Sequence, residues 1–138
     1  LRSPRDMMQE VNRITGIHSE LAIVDFREQL LLFSGRAVTH FGYHSDKGMQ
    51  QRAAARWLSE APSQRWLLVP LGNAYDCFDV RTAIEMDLRH RRSWFLARFD
   101  NLLPEEELQS NGCDWRNTDL AHYQSPAVDP GWQWGVGD

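Results

Sequence analysis

His40 and His44, four residues apart with Asp46 close behind, are the nearest approach to a metal-ligand set in this sequence. On a helix that spacing puts two imidazoles on one face, as in metalloprotease sites. Here His40 falls on a β-branched and aromatic run, His44 follows in a loop, and no H-E-x-x-H glutamate accompanies them. Two loop histidines are the plainer reading, and no metal is expected. Asp25 ends an apolar run, the place where open parallel sheets hold ligands, although capping the next turn is its simpler role. Asp25, His40 and His44 together are the one grouping on which a small stand-alone α/β enzyme could be built.

Other chemistry-bearing residues are less convergent. The carboxylate pairs Asp76/Asp79 and Glu85/Asp87 could share acid–base work, but the first reads as a turn and the second as a solvated strand face. Ser34-Gly35 lacks the G-x-S-x-G elbow, and no glycine-rich phosphate loop occurs, so no cofactor is called for. Arg89-His90-Arg91-Arg92 is the only concentrated charge. Arg91 and Arg92 are therefore candidates for a lipid phosphate or an anionic sugar carrier, against a plainer solvated hairpin turn. The exposed aromatics of the C-terminal part, Trp132 and Trp134 among them, would join this cluster in a sugar- or lipid-binding module. Cys77 and Cys113 permit one disulfide, with two unpaired buried thiols as the favoured alternative.

The elements that must position these residues are legible. Ser3 as N-cap, Pro4 in the first turn, Asp6 three residues on and Gly16 as stop predict an amphipathic helix over Pro4 to Thr15. Leu21 to Val24 is apolar at every residue, a strand covered on both faces. Arg27 to Phe33 is ambiguous between a short helix and an extended run. Gly35 breaks it, and a positive φ there is the expected reason. Ala37 to Phe41 reads as a strand. A second helix, capped by Ser45 or Asp46 and ended by Pro62, presents Met49, Ala53, Ala54, Trp57, Leu58 and Ala61 to the core. Its residues Gln50, Gln51, Arg52, Arg56 and Glu60 are expected opposite or at the edge.

Arg65 to Pro70 is a further apolar strand, so Ala37 to Val69 forms a βαβ unit. Ala83 to Leu88 and Trp94 to Phe99 read as a hairpin at the sheet edge. A short helix is expected from Pro104, then a loop-rich tail whose aromatics fold back by default. The fold class is α/β: a small three-layer α/β/α domain over residues 1–103, with a mixed sheet of four to five strands, and an irregular tail over 104–138.

With 138 residues, 42% hydrophobic and 25% charged, the chain has the composition of a globular domain. Its net charge of -4 argues against a nucleic-acid partner. No stretch reaches the ~20 apolar residues of a membrane helix. A start at Leu1, straight into a polar helix, reads as a piece of a longer polypeptide.

F-R-E-Q-L-L-L-F-S-G-R-A-V, Phe26 to Val38, resembles a pattern in membrane glycosyltransferases of the aminoarabinose-transferase and protein-mannosyltransferase type, the family 39-like enzymes. Phe26, Leu30, Phe33, Gly35, Arg36 and Val38 match the pattern, while Ala37 stands where proline is usual. The capped helix from Pro4, the R-W-L-L-V strand, Cys77-Phe78-Asp79 and the R-x-x-W of Arg91 to Trp94 follow in the same order. The resemblance implies a non-catalytic C-terminal domain on the periplasmic face of the bacterial inner membrane. Its partners would be the transmembrane portion of the same polypeptide and a polyprenyl-phosphate sugar or lipid acceptor. The family's catalytic acids lie in an earlier loop, so no catalytic role carries over to any residue here. Leu30, Phe33, Gly35 and Arg36 become candidates for the interface or for the corner that supports it.

Overall fold

The computed structural model describes residues 3–25, 27–42, 46–74, 76–86, 93–123, 125 and 127–129. Helix α1 (Pro4–Thr15) starts where Ser3 Oγ accepts the Asp6 N–H and stops at Gly16, whose φ of 75° reverses the chain. Strand β1 (Glu20–Ile23) follows, then α2 (Glu28–Ser34) and β2 (Val38–His40). The ambiguous Leu-rich run is thus helical, because a left-handed Gly35 (φ 65°, ψ 17°) terminates it. Helix α3 (Lys47–Glu60) begins at Asp46, which accepts the Met49 N–H, and leads to β3 (Arg65–Pro70). The hairpin β4 (Ile84–Met86) and β5 (Trp94–Ala97) completes the sheet. Two short helices, α4 (Glu105–Ser110) and α5 (Leu120–Tyr123), follow it.

Among the described residues the five strands are ordered β2-β1-β3-β5-β4. β1 runs parallel to both β2 and β3, while β5 is antiparallel to both β3 and β4. The expected βαβ unit is present, with β1 inserted between its two strands. Alternation along each strand feeds two cores. Leu21, Ile23, Val38, Leu68 and Leu96 face α1 and α2. Ala22, Val24, Leu67, Val69, Phe95 and Ala97 face α3 and the C-terminal segments. This is a small three-layer α/β/α domain on a mixed sheet.

Three local expectations are corrected. Gln50 and Gln51, expected opposite the core or at its edge, are each 3% exposed, because their side-chain amides turn to the loops after β1 and β3 and accept main-chain N–H groups there. Ile84, which the alternation of β4 puts on one face with Met86, is exposed, and of the two only Met86 joins Trp94 and Leu96 in the core. Phe99 leaves the strand and opens a 3-10 turn.

Cys77 and Cys113 form a disulfide with a Cα separation of 5.5 Å, which overturns the reading of two free thiols. Gly112, at φ 75°, turns the chain after α4 so that the Cys113 N–H returns to the Leu108 carbonyl and the sulfur meets Cys77. Cys113, Leu108 and Trp115 then enter the same core as Phe78 and Trp57. The bond spans 36 residues. Chain entropy alone assigns such a closure about 4 kcal/mol. The double variant Cys77→Ser/Cys113→Ser is expected to lose stability of that order, seen as a lower urea midpoint. An unchanged midpoint would show that the closure contributes nothing.

Candidate functional site

The carboxyl ends of the parallel strands hold Asp25 and His40. Asp25 follows β1 in the left-handed region, at φ 59°. Its N–H is taken by Gln50 Oε1 from α3 at 2.9 Å, and its carboxylate pairs with Arg27 at 3.3 Å. The N-cap position of α2 itself is taken by Arg27, with no side-chain cap bond. His40 ends β2 in register with Ile23 of β1 and is 5% exposed. Its Nδ1 accepts the Gly42 N–H at 3.2 Å. Burial pushes the imidazole below its ordinary pKa, since the charged form loses water. The strands therefore bring Asp25 and His40 to neighbouring strand ends. His44, the third member of that grouping, lies outside the described residues, as do Arg91, Arg92, Phe26, Trp132 and Trp134.

Gln50 and Gln51 were not legible as site-building residues. Gln50 fixes the loop after β1, while Gln51 Oε1 accepts the N–H groups of Asp76 and Cys77 at 3.1 and 3.2 Å. Two adjacent amides thus hold both loops at the carboxyl edge of the sheet. The available signal is the Ala53-Ala54-Ala55 run below them, small side chains that let a helix be approached from more than one side. Around Gly48 the carboxylates of Asp46 and Asp76 and the Arg52 guanidinium draw together. Among the described residues no group of three or more His, Cys, Asp or Glu side chains is arranged to hold a metal ion. Clefts with described walls lie along α4 and the turns after it, and a further one, lined by Met49, Arg52, Asp114, Asn117, Thr118 and Asp119, adjoins the group around Gly48.

The resemblance-bearing residues build a second, different constellation. Leu30 and Leu31 are buried on α1 and the sheet, whereas Leu32 points outward and is 46% exposed. Phe33 packs at the edge of that core beneath the Arg5 guanidinium, 5.3 Å from its ring centre. Gly35 supplies the left-handed turn that sends Arg36 inward. Arg36 is 9% exposed, and its Nη1 donates to Thr15 Oγ1 at 2.7 Å and Asn12 Oδ1 at 3.3 Å. Its Nη2 donates to the Ser19 carbonyl and to Ser19 Oγ. Asn12 in turn donates to the Ser34 carbonyl, and Ser34 Oγ donates to the Leu31 and Arg36 carbonyls.

Each acceptor of the guanidinium is a neutral oxygen. Burial lowers the Arg36 pKa, yet an arginine stays charged at any ordinary pH. The compensation is positional: Arg36 sits where the carboxyl ends of α1 and α2 meet, the negative ends of two helix dipoles. This arrangement ties two helices to the entry of β1. Both of its Nη groups are already engaged, which makes Arg36 a structural tie rather than an anion receptor.

No protein-family model, curated protein or solved structure matches this chain.

Two measurements follow from this geometry. Arg36→Ala leaves Asn12, Thr15 and Ser19 without their donor and is expected to cost about 2–4 kcal/mol of stability. Arg36→Lys, which keeps charge but not the planar fork, should recover only part of that in chemical denaturation. Equal stability of Arg36→Ala and the parent chain would remove the corner from its structural role. For His40 the folded pKa lies below the ordinary 6.5, so unfolding takes up a proton as the pH falls. The His40 contribution is therefore complete above that pH and declines between 6.5 and the lowered folded value. His40→Asn, which keeps an acceptor for Gly42, should flatten that decline when urea midpoints are compared across the acid range.

Proposed function

We propose that this chain is the non-catalytic soluble domain of a polytopic membrane glycosyltransferase. That enzyme would move a sugar from a polyprenyl-phosphate carrier to a lipid or protein acceptor. The domain would sit on the periplasmic face of the bacterial inner membrane, against the transmembrane portion of the same polypeptide, stabilising it or shaping acceptor access. The observation that carries this reading is the Gly35–Arg36 corner. Leu30, Gly35, Arg36 and Val38, through which the chain resembles that family, all serve to join α1, α2 and the sheet. A family pattern whose purpose is to hold an architecture together suits an accessory domain. The Cys77–Cys113 disulfide supports the location, because such bonds persist in oxidising compartments such as the periplasm.

The test is the natural reading frame that encodes this chain. About ten hydrophobic segments of ~20 residues upstream of Leu1, with acidic residues in the first long loop, are expected. A start codon within a few residues of Leu1 would overturn the reading. Attention would then turn to Asp25 and His40 at their adjacent strand ends, the place to seek an activity of the domain itself.

A further inference from the structure

A cleft runs between α3 and the segment that follows the disulfide. Met49 and Arg52 form its α3 wall, and Asp114, Asn117, Thr118 and Asp119 form the other. Its volume of about 350 Å³ lies at the lower end of the ~300–1,000 Å³ usual for small-molecule sites. The second wall is held in place without a ligand. Cys113 and Trp115, on either side of Asp114, are fixed by the disulfide and by burial against Phe99. Thr118 Oγ1 donates to the Asp114 carbonyl at 3.0 Å, and Asn117 Nδ2 donates to both Asp114 carboxylate oxygens, at 2.9 and 3.1 Å. One turn further along α3, Arg56 donates to the Arg116 carbonyl at 2.6 Å and fastens the two walls together.

Opposite charges share this cleft without meeting. Among the described residues, every arginine except Arg52 is engaged by a carboxylate, a neutral oxygen or an aromatic ring. Arg52 is partly buried, and it makes no hydrogen bond or ion pair with another described residue. Its Nη1 lies 3.2 Å from the point where a Cβ on residue 48 would stand, so the bare Gly48 leaves room for the guanidinium. Asp46 and Asp76 each bring a carboxylate oxygen near the same point, at 3.2 and 3.5 Å, and neither closes a pair with Arg52. On the other wall the Asp114 carboxylate is met, among the described residues, by the neutral Asn117 amide and by no cation. A direct Arg52–Asp114 pair would satisfy both charges, but the two walls hold them apart.

We infer that this cleft is a binding site for a small zwitterion of the α-amino-acid class. Its carboxylate pairs with the Arg52 guanidinium, its ammonium pairs with the Asp114 carboxylate, and Met49 lies along its apolar part. An anion alone would meet Asp114 and Asp119, with Asp46 and Asp76 close by, around a single described cation. An amine alone would leave Arg52 as it is. Both charges therefore have to arrive on one molecule, and the site selects against ligands that carry only one of them. The inference stands apart from the membrane reading, since it needs only these two walls.

Titrating the whole chain with L-alanine, propionate and ethylamine, followed by heteronuclear NMR, separates the two charges. L-alanine is expected to give saturable shifts at the amides of Met49, Arg52 and residues 114–119. Propionate lacks the ammonium and ethylamine lacks the carboxylate, and each should bind at least about tenfold more weakly. Arg52→Gln and Asp114→Asn should each lower the affinity for L-alanine to that level, while a dispersed spectrum shows the fold intact. Arg52→Lys, which keeps the charge, should recover part of the loss. An equal response to all three probes would overturn the inference, as would the absence of saturable shifts up to the solubility of L-alanine. Binding that survives both Arg52→Gln and Asp114→Asn would also overturn it, by placing the ligand on another surface.

Discussion

The arrangement depends on a guanidinium held in the wrong place for a charge. Arg36 lies within the layer between helices and sheet, and taking its charge out of water is costly. The structure offsets that cost with neutral oxygens and two converging helix carboxyl ends rather than with a counter-ion. The consequence is positional. A carboxylate partner could be met by a range of side-chain poses, whereas Asn12, Thr15 and Ser19 belong to three consecutive features of the backbone: helix, helix end and strand entry. Arg36 thereby fixes where α1 ends relative to β1, and Ser34 fixes α2 to the same point. The apolar stripe of Met7, Met8 and Val11 then has one available seat on the sheet.

On the opposite face the constraint falls on α3. Ala53, Ala54, Trp57 and Leu58 gave its core-facing side away in sequence, because their spacing follows a helical period, whereas Met49, expected beside them, lines a surface cleft. The same period cannot reveal that a second side is covered, since that cover comes from residues some sixty positions later, as where Arg56 donates to the Arg116 carbonyl. Gln50 and Gln51 look like solvent residues until the loops they hold are in place. The start and stop of α1, the break at Gly35 and the strand at Arg65 to Pro70 were legible because each rests on local chemistry: a cap, a φ requirement, an unbroken apolar run.

The candidate site was legible to a lesser degree for the same reason. That Asp25 and His40 share an edge follows from both ending strands, and sequence supplied that much. Their partners did not follow: Gln50 is twenty-five residues from Asp25, and Ser125, which bonds the His40 carbonyl, is further still. Arg36 was legible as important and illegible as buried, because a residue after Gly35 can point either way until the α1 terminus is in place. Hydrophobic pattern determines layers, whereas polar contacts between layers depend on topology.

The C-terminal segment shows how a chain keeps elements that could not stand alone. α4 has six residues and α5 four, each below the length at which a helix holds its own backbone bonds in water. Among the described residues, Leu108 from α4, Leu120 from α5 and Trp115 from the 3-10 turn between them reach the α3 face. Restricting the unfolded chain is the remaining way to keep them docked, and a cross-link over 36 residues does so without enlarging the core. That choice is workable only where thiols stay oxidised. The location proposed for the domain and the weakness of its last elements are thus one argument: a compartment that preserves the Cys77–Cys113 bond permits a cover this slight.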